Sequence, residues 1–189
     1  MVGEGQLSKN KTRVAVLGGG SFGTAIANMV AANDFPVTLW MRSQEKAQRV
    51  LIARENTDYL PGYKLSQSLE ITSDISAAVA DADVIFFAIP SSSYREVAQQ
   101  LSDRLSSGAR LISAAKGIES KTFMLPSQIL EQLIPQCKIG VISGPNLAAE
   151  IAQYQITATV VASENADLCE AVQGLLVSKY FRVYANQDR

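Results

Sequence analysis

The sequence predicts an α/β fold: a doubly wound, mainly parallel sheet of about eight strands, with helices packed on both faces. Three observations carry that expectation. Short apolar, β-branched runs alternate with helix-period runs along the chain, the pattern of strand–helix–strand crossovers. Asp83-Val-Ile-Phe-Phe-Ala-Ile89 is almost unbroken apolar, as a central strand covered on both faces must be. Arg13-Val-Ala-Val-Leu17 runs straight into Gly18-Gly-Gly20-Ser-Phe-Gly23 and then into an amphipathic stretch.

The glycines at 18, 20 and 23 have the G-x-G-x-x-G spacing, and each has a physical task. Gly18 permits a tight turn off the strand, Gly20 lets a pyrophosphate approach bare backbone, and Gly23 lets the helix pack closely. Phe22, Ala25, Ile26, Met29 and Val30 then recur at helical spacing. The free N–H groups at that helix's N-terminus, with its dipole, suit phosphates. The stretch therefore reads as a dinucleotide site of the Rossmann type, against the bland alternative of a strand–turn–helix joint.

The later elements follow in order. Phe35–Met41 reads as a second strand. The residue after it, which meets the adenosine ribose in such units, is Arg42 rather than an acid. A cation there can pair with a 2′-phosphate or lie over adenine, so NADP should be accepted and a strict NAD preference is disfavoured. The competing reading is a solvated surface arginine. Ser43 caps a charged helix running to Glu55, and Asn56–Tyr63 is a loop with Pro-Gly punctuation. Leu69–Thr72 is a strand and Asp74–Asp81 a short helix. Strand 83–89 ends at Pro90, Ser91 reads as the cap of the next helix, and Tyr94, Val97, Ala98, Leu101 and Leu105 form that helix's apolar face. Strand Arg110–Ala115 delivers Lys116-Gly117, and a helix over Pro126–Ile134 follows. Strand Lys138–Ile142 runs into Ser143-Gly144-Pro-Asn146, then a helix from Leu147 to Gln153. Strand Thr157–Ala162, helix Glu164–Ser178 and strand Tyr180–Tyr184 complete the chain. Trp40 and Tyr59 read as packing residues.

Composition narrows the function. The chain has 189 residues, 47% of them hydrophobic, enough for one large domain with a real core, here placed at 13–189 behind a polar leader at 1–12. A net charge of −1 gives no basic field, arguing against nucleic acid or an anionic membrane as partner. With no histidine, His triads and His metal sites are excluded and no metal is expected; proton chemistry falls to Lys, Tyr, Asp or Glu. Cys137 and Cys169 form no C-x-x-C pattern and read as isolated buried thiols of a cytoplasmic protein. Val14–Asn33 lacks charge and imitates a membrane span, but its glycines, Ser21, Thr24 and Asn28 fit a buried strand and helix better.

Chemistry concentrates at one sheet edge. Gly18–Gly23, Arg42, Pro90–Ser91, Lys116–Gly117 and Gly144–Asn146 each follow the end of a different strand, so five loops converge where ligands bind such sheets. Lys116 can hydrogen-bond a substrate hydroxyl or carbonyl, or attract an anion; its competing reading is an exposed loop lysine. Asn146 faces the cleft or merely caps the following helix.

Six ordered motifs carry a resemblance that spans Arg13–Asp188. They are Gly18-Gly-Gly-Ser-Phe-Gly-Thr-Ala, Leu39-Trp-Met-Arg42, Asn56-x-x-Tyr-Leu-Pro-Gly62, Ala115-Lys-Gly-Ile-Glu119, Ile142-Ser-Gly-Pro-Asn-x-Ala148-x-Glu150 and Phe181-Arg-Val-Tyr-x-Asn186-x-Asp188. The chain resembles the bacterial NAD(P)-dependent glycerol-3-phosphate dehydrogenases. The resemblance implies hydride transfer between sn-glycerol 3-phosphate and dihydroxyacetone phosphate, feeding phospholipid synthesis. It implies cofactor contacts at Gly18, Gly20, Ser21, Phe22, Gly23, Arg42, Lys116 and Ala148, and substrate contacts at Lys116, Gly144 and Asn146. Phe22 replaces a Trp or Tyr usual in the family, and Asn146 a Ser or Thr. Family members continue into a helical domain carrying the general-base lysine, expected beyond Arg189, and form possible homodimers at full length. The expectation is that residues 1–189 bind NADP or NAD with little turnover. Two alternatives stand beside it: a non-catalytic redox-sensing dinucleotide module, and a 6-phosphogluconate or hydroxyacid-type dehydrogenase.

Overall fold

The computed structural model describes residues 12–189. The leader read over residues 1–12 lies, but for Thr12, outside them. β1 (Val14–Leu17) leads into α1 (Ser21–Ala32), and β2 (Val37–Trp40) into α2 (Gln44–Ala53). A two-stranded hairpin, β3 (Glu55–Asn56) and β4 (Leu60–Lys64), precedes β5 (Glu70–Thr72) and α3 (Ile75–Val79). Then come β6 (Val84–Phe87), α4 (Tyr94–Leu101), β7 (Arg110–Ser113), α5 (Pro126–Leu133) and β8 (Lys138–Ser143). α6 (Ala148–Ala152), β9 (Thr157–Ala162), α7 (Ala166–Leu176) and β10 (Phe181–Asn186) finish the order.

Eight strands form one sheet in the order β10-β9-β8-β7-β6-β1-β2-β5. From β1 the chain steps outward to β2 and β5, then returns past β1 to β6 and proceeds the other way through β7 and β8. The switch point therefore lies between β1 and β6, which pair in parallel from Val14–Val84 to Leu17–Phe87. Alternation along β1 divides the core. Val14 and Val16 pack toward α1, α6 and α7, while Ala15 and Leu17 pack toward α3, α4 and α5. That two-sided cover makes the inner strands continuously apolar.

Within this sheet, the one antiparallel pairing among the described residues joins β8 to β9. Its cause is the connection. The five residues of α6 rise only about 7.5 Å, too little to carry the chain back along a six-residue strand of roughly 20 Å. The chain turns back at the edge it left, and the C-terminal halves of the two strands pair, Val141–Ser143 against Val160–Ala162.

Several local expectations need correction. α2 stops at Ala53, where Arg54 turns left-handed at φ 48°, and residues 55–64 form a hairpin rather than a loop. Tertiary bonds override the Pro-Gly signal there: Glu55 accepts the Gly62 N–H at 2.9 Å and pairs with Lys64 at 3.0 Å. Ser91 does not cap α4; it opens a 3₁₀ turn over Ser91–Ser93, and Ser93 occupies the cap position without a side-chain bond. That helix ends at Leu101, short of Leu105. Cys169 is buried, but Cys137 is only half-buried; both are free thiols. Among the described residues no helix is long and apolar enough to cross a membrane.

Candidate functional site

The turn from β1 into α1 is shaped by what its glycines exclude. Gly18 sits at φ 123°, and a Cβ there would lie 2.3 Å from the Ala88 carbonyl oxygen. At Gly23 a Cβ would lie 2.0 Å from the Gly18 oxygen, so the helix presses directly on the turn. Gly20 differs: a Cβ would meet nothing within 4 Å. Its glycine is required by nothing inside the chain, whereas an incoming ligand would need that space. Gly20 is also the N-cap of α1, and no described side chain caps the helix. Its first N–H groups thus face outward beside bare backbone, as an anion needs. The Gly18 N–H to the Trp40 carbonyl (3.0 Å) and the Ala88 N–H to the Leu17 carbonyl (2.8 Å) pin the turn between β2 and β6.

Around this turn opens a cavity of about 670 Å³, reached by the loops after β1, β2, β5 and β6. Gly18, Gly20, Ser21, Phe22 and Arg42 line it, and Gly23 lies beneath its floor. A cleft of about 400 Å³ at the opposite sheet edge, around Arg13, Asp34 and Asp81, has no glycine turn or helix start. The larger cavity suits a dinucleotide in its bare backbone at Gly20 and in the chemistry of its donors.

Three further residues belong to this site: Asn56 and Lys46 were not singled out in the sequence, and Tyr59 was read only as packing. Asn56, 1% exposed, donates its amide N–H groups to the Gly19 carbonyl (2.9 Å) and Thr24 Oγ1 (2.8 Å), tying the hairpin to the glycine turn. Tyr59 is not a packing residue; it is 46% exposed and lines the cavity, and its carbonyl accepts the Ser21 hydroxyl at 2.6 Å. Lys46 lines the same wall, with its Nζ 5.1 Å from the Tyr59 ring centre and 3.2 Å from Asp58. The signal for Asn56 and Tyr59 was present in their motif, but only the hairpin shows its purpose. Trp40 is a packing residue, 7% exposed, whose Nε1–H bonds the Ser73 carbonyl at 3.0 Å and whose edge also meets the cavity.

The remaining candidates lie on loops after β7 and β8, at the same sheet edge but outside that cavity. Lys116 is exposed, and the described residues give it no ion pair or hydrogen bond. Gly117, at φ 101°, brings its loop against Ser91, whose Oγ is 3.6 Å from where a Cβ would sit. Glu119 braces the loop: Arg95 Nε and Nη2 each reach its carboxylate at 2.8 Å, and Thr122 also donates to it. Those bonds, Arg95 first, hold the Glu119 carboxyl down at about 2.

Asn146 is no cap, since Leu147 holds the N-cap position of α6. Its amide donates to Thr159 Oγ1 at 2.8 Å and accepts from Thr157 Oγ1 at 3.4 Å, fastening the turn to β9. Gly144 packs on the same strand, 3.0 Å from the Ala158 oxygen to a Cβ position, and Ala148 is half-buried at the start of α6. The reversal at β8–β9 thus gathers Gly144 and Asn146 against the threonines of β9.

Residues 13–169 match the family described as NAD-dependent glycerol-3-phosphate dehydrogenase N-terminus. A glycerol-3-phosphate dehydrogenase [NAD(P)+] of Teredinibacter turnerae is 53% identical over 180 residues, covering 95% of this chain and 53% of that protein. One of Pseudomonas syringae pv. tomato is 53% identical over 176 residues, covering 93% and 51%. The chain spans about half the length of the curated relatives it matches. Among solved structures, a glycerol-3-phosphate dehydrogenase from Coxiella burnetii superposes with a TM-score of 0.90 at 30% identity, over 94% of this chain and 55% of that one.

Proposed function

We propose, from the premise that this chain belongs to the NAD-dependent glycerol-3-phosphate dehydrogenase N-terminal family, that it is the coenzyme-binding half of a cytoplasmic enzyme interconverting sn-glycerol 3-phosphate and dihydroxyacetone phosphate. The observation that carries this reading is the empty space at Gly20, set against the uncapped start of α1 at the sheet's switch point. A bound nicotinamide dinucleotide would supply the hydride acceptor or donor. The chain's own residues do the rest of the work assigned to this half. The α1 N-terminus and the glycine backbone hold the diphosphate, and Ser21, Phe22 and Arg42 wall the adenosine side. Lys116, on its braced loop, orients the substrate oxygen, with Gly144 and Asn146 beside it and Ala148 toward the coenzyme. The proton from the substrate carbinol leaves to a base outside these residues, a lysine in the family's helical half.

Titration of the folded chain with NADH and NADPH, followed by nicotinamide fluorescence, tests the reading. Both should bind, and the chain alone should turn over little or no substrate. A folded chain that binds neither coenzyme overturns the proposal. Full dehydrogenase activity from these 189 residues would overturn the division of labour between the halves.

A further inference from the structure

The first turn of α2 holds an acid, Glu45, and next to it Lys46, whose own N–H bonds the Ser43 hydroxyl at 3.3 Å. Lys46 Nζ lies 3.2 Å from Asp58, but that carboxylate is already matched by Arg49 at 2.6 Å. The second charge on Asp58 is surplus to pairing. Lys46 keeps 40% of its side chain exposed and is steered by the Tyr59 ring, 5.1 Å away, onto the cavity wall. Arg42 lines the same wall, exposed and without an ion pair or hydrogen bond among the described residues. Arg49, by contrast, does not line it.

Two cations and a helix start facing one pocket, with their local acid already satisfied, suit a ligand group carrying about two negative charges. We propose that Lys46 is a second specificity residue of the coenzyme site, seating with Arg42 a phosphate monoester on the adenosine ribose, so that the 2′-phosphorylated dinucleotide is preferred. The inference rests on the dinucleotide reading above and extends it from Arg42 to a residue on the next helix. Lys46 and Arg42 approach from different elements, so they can straddle the phosphate, whereas a ribose with a free hydroxyl engages neither charge fully.

The test is titration of NADPH and NADH with the wild-type chain, Lys46→Met, Arg42→Ala and Arg49→Met. Exposed charge pairs are individually weak, so Lys46→Met should weaken NADPH by about three- to fivefold and NADH by less than about twofold. Arg42→Ala should act in the same direction. Arg49→Met, which loosens Asp58 without touching the wall, should leave the NADPH-to-NADH ratio unchanged. Equal weakening of both coenzymes by Lys46→Met, or no weakening, would overturn the inference while leaving the coenzyme site standing. Binding of neither coenzyme to the wild-type chain would remove the site and this inference together.

Discussion

Gly20→Val separates the ligand's requirement from the fold's. Gly20 sits at φ −75° and ψ −179°, extended backbone open to any residue, and a Cβ there meets nothing within 4 Å. The folding cost is therefore confined to the helix cap, where glycine exceeds β-branched residues by about 1 kcal/mol. For a chain of this size that is about 2–4 °C in melting temperature. On the ligand side, the added methyls occupy the approach to the first N–H groups of α1. Each hydrogen bond to a charged group is worth about 1.5–3 kcal/mol, so displacing a diphosphate from one or two of them should cost at least about 1.5 kcal/mol, or roughly tenfold in affinity. Circular dichroism melting and nicotinamide fluorescence titration read the two sides separately. Unchanged coenzyme affinity in a normally melting Gly20→Val chain would refute the cradle. A loss of stability well beyond the cap cost would refute the open-space argument instead. Gly18→Ala and Gly23→Ala make the contrast, since their Cβ atoms would fall 2.3 and 2.0 Å from backbone oxygens and should impair folding itself.

Other expectations follow from single contacts. Asn56→Ala leaves the Gly19 carbonyl without its buried donor, costing about 1–3 kcal/mol in denaturant melts and loosening coenzyme binding in the same preparation. Glu119, held at about 2 against an ordinary 4.5, contributes stability that is complete above 4.5 and lost as pH falls toward 2. Melting temperature should therefore drop more steeply across that window in the wild type than in Glu119→Gln. The Tyr94 hydroxyl, fully buried, donates to the Phe87 carbonyl at 2.7 Å and lies 3.0 Å from Ser113 Oγ. Tyr94→Phe should lower stability by about 1–2 kcal/mol. Burial pushes that phenol up to about 12 from 10, so its contribution is complete below pH 10 and lost as pH rises toward 12, and the variant should lack this alkaline loss.

What the sequence disclosed were the features governed by local rules. Strand runs such as Val84–Phe87 and the Gly18–Gly23 turn depend on periodicity and on sterics within a few residues, and they stand where the pattern put them. Arg42 was legible as a residue just past the end of β2, which stops at Trp40. Asn56 and Lys46 were not singled out, and Tyr59 was read as packing, because their meaning is tertiary. Asn56 matters through Gly19 and Thr24, more than thirty positions away. Tyr59 reaches the cavity only because Glu55 and Gly62 close a hairpin that Pro61 argued against. Asn146 had two sequence readings, cleft or cap. The structure removes the second and gives its amide threonine partners on β9, since that strand's reversal could not be inferred from apolar content.

The site is unevenly built, and the unevenness has a consequence. The side proposed above for adenosine is walled by four loops, pinned by backbone bonds at Gly18 and Ala88 and by Asn56. Its other side, past Ser91, offers an exposed Lys116 on a loop braced at Glu119 but not enclosed. Affinity scales with preformed, desolvated contacts, so the adenosine diphosphate portion should supply most of the binding in this chain. Removing the nicotinamide, by titrating 2′-phospho-ADP-ribose against NADPH in calorimetry, should therefore cost less than about fivefold, roughly 1 kcal/mol. A loss of a hundredfold would mean that the Lys116 side grips the nicotinamide in this chain by itself. The open edge would then be a closed pocket in solution, and the assignment of adenosine to the walled cavity would fail.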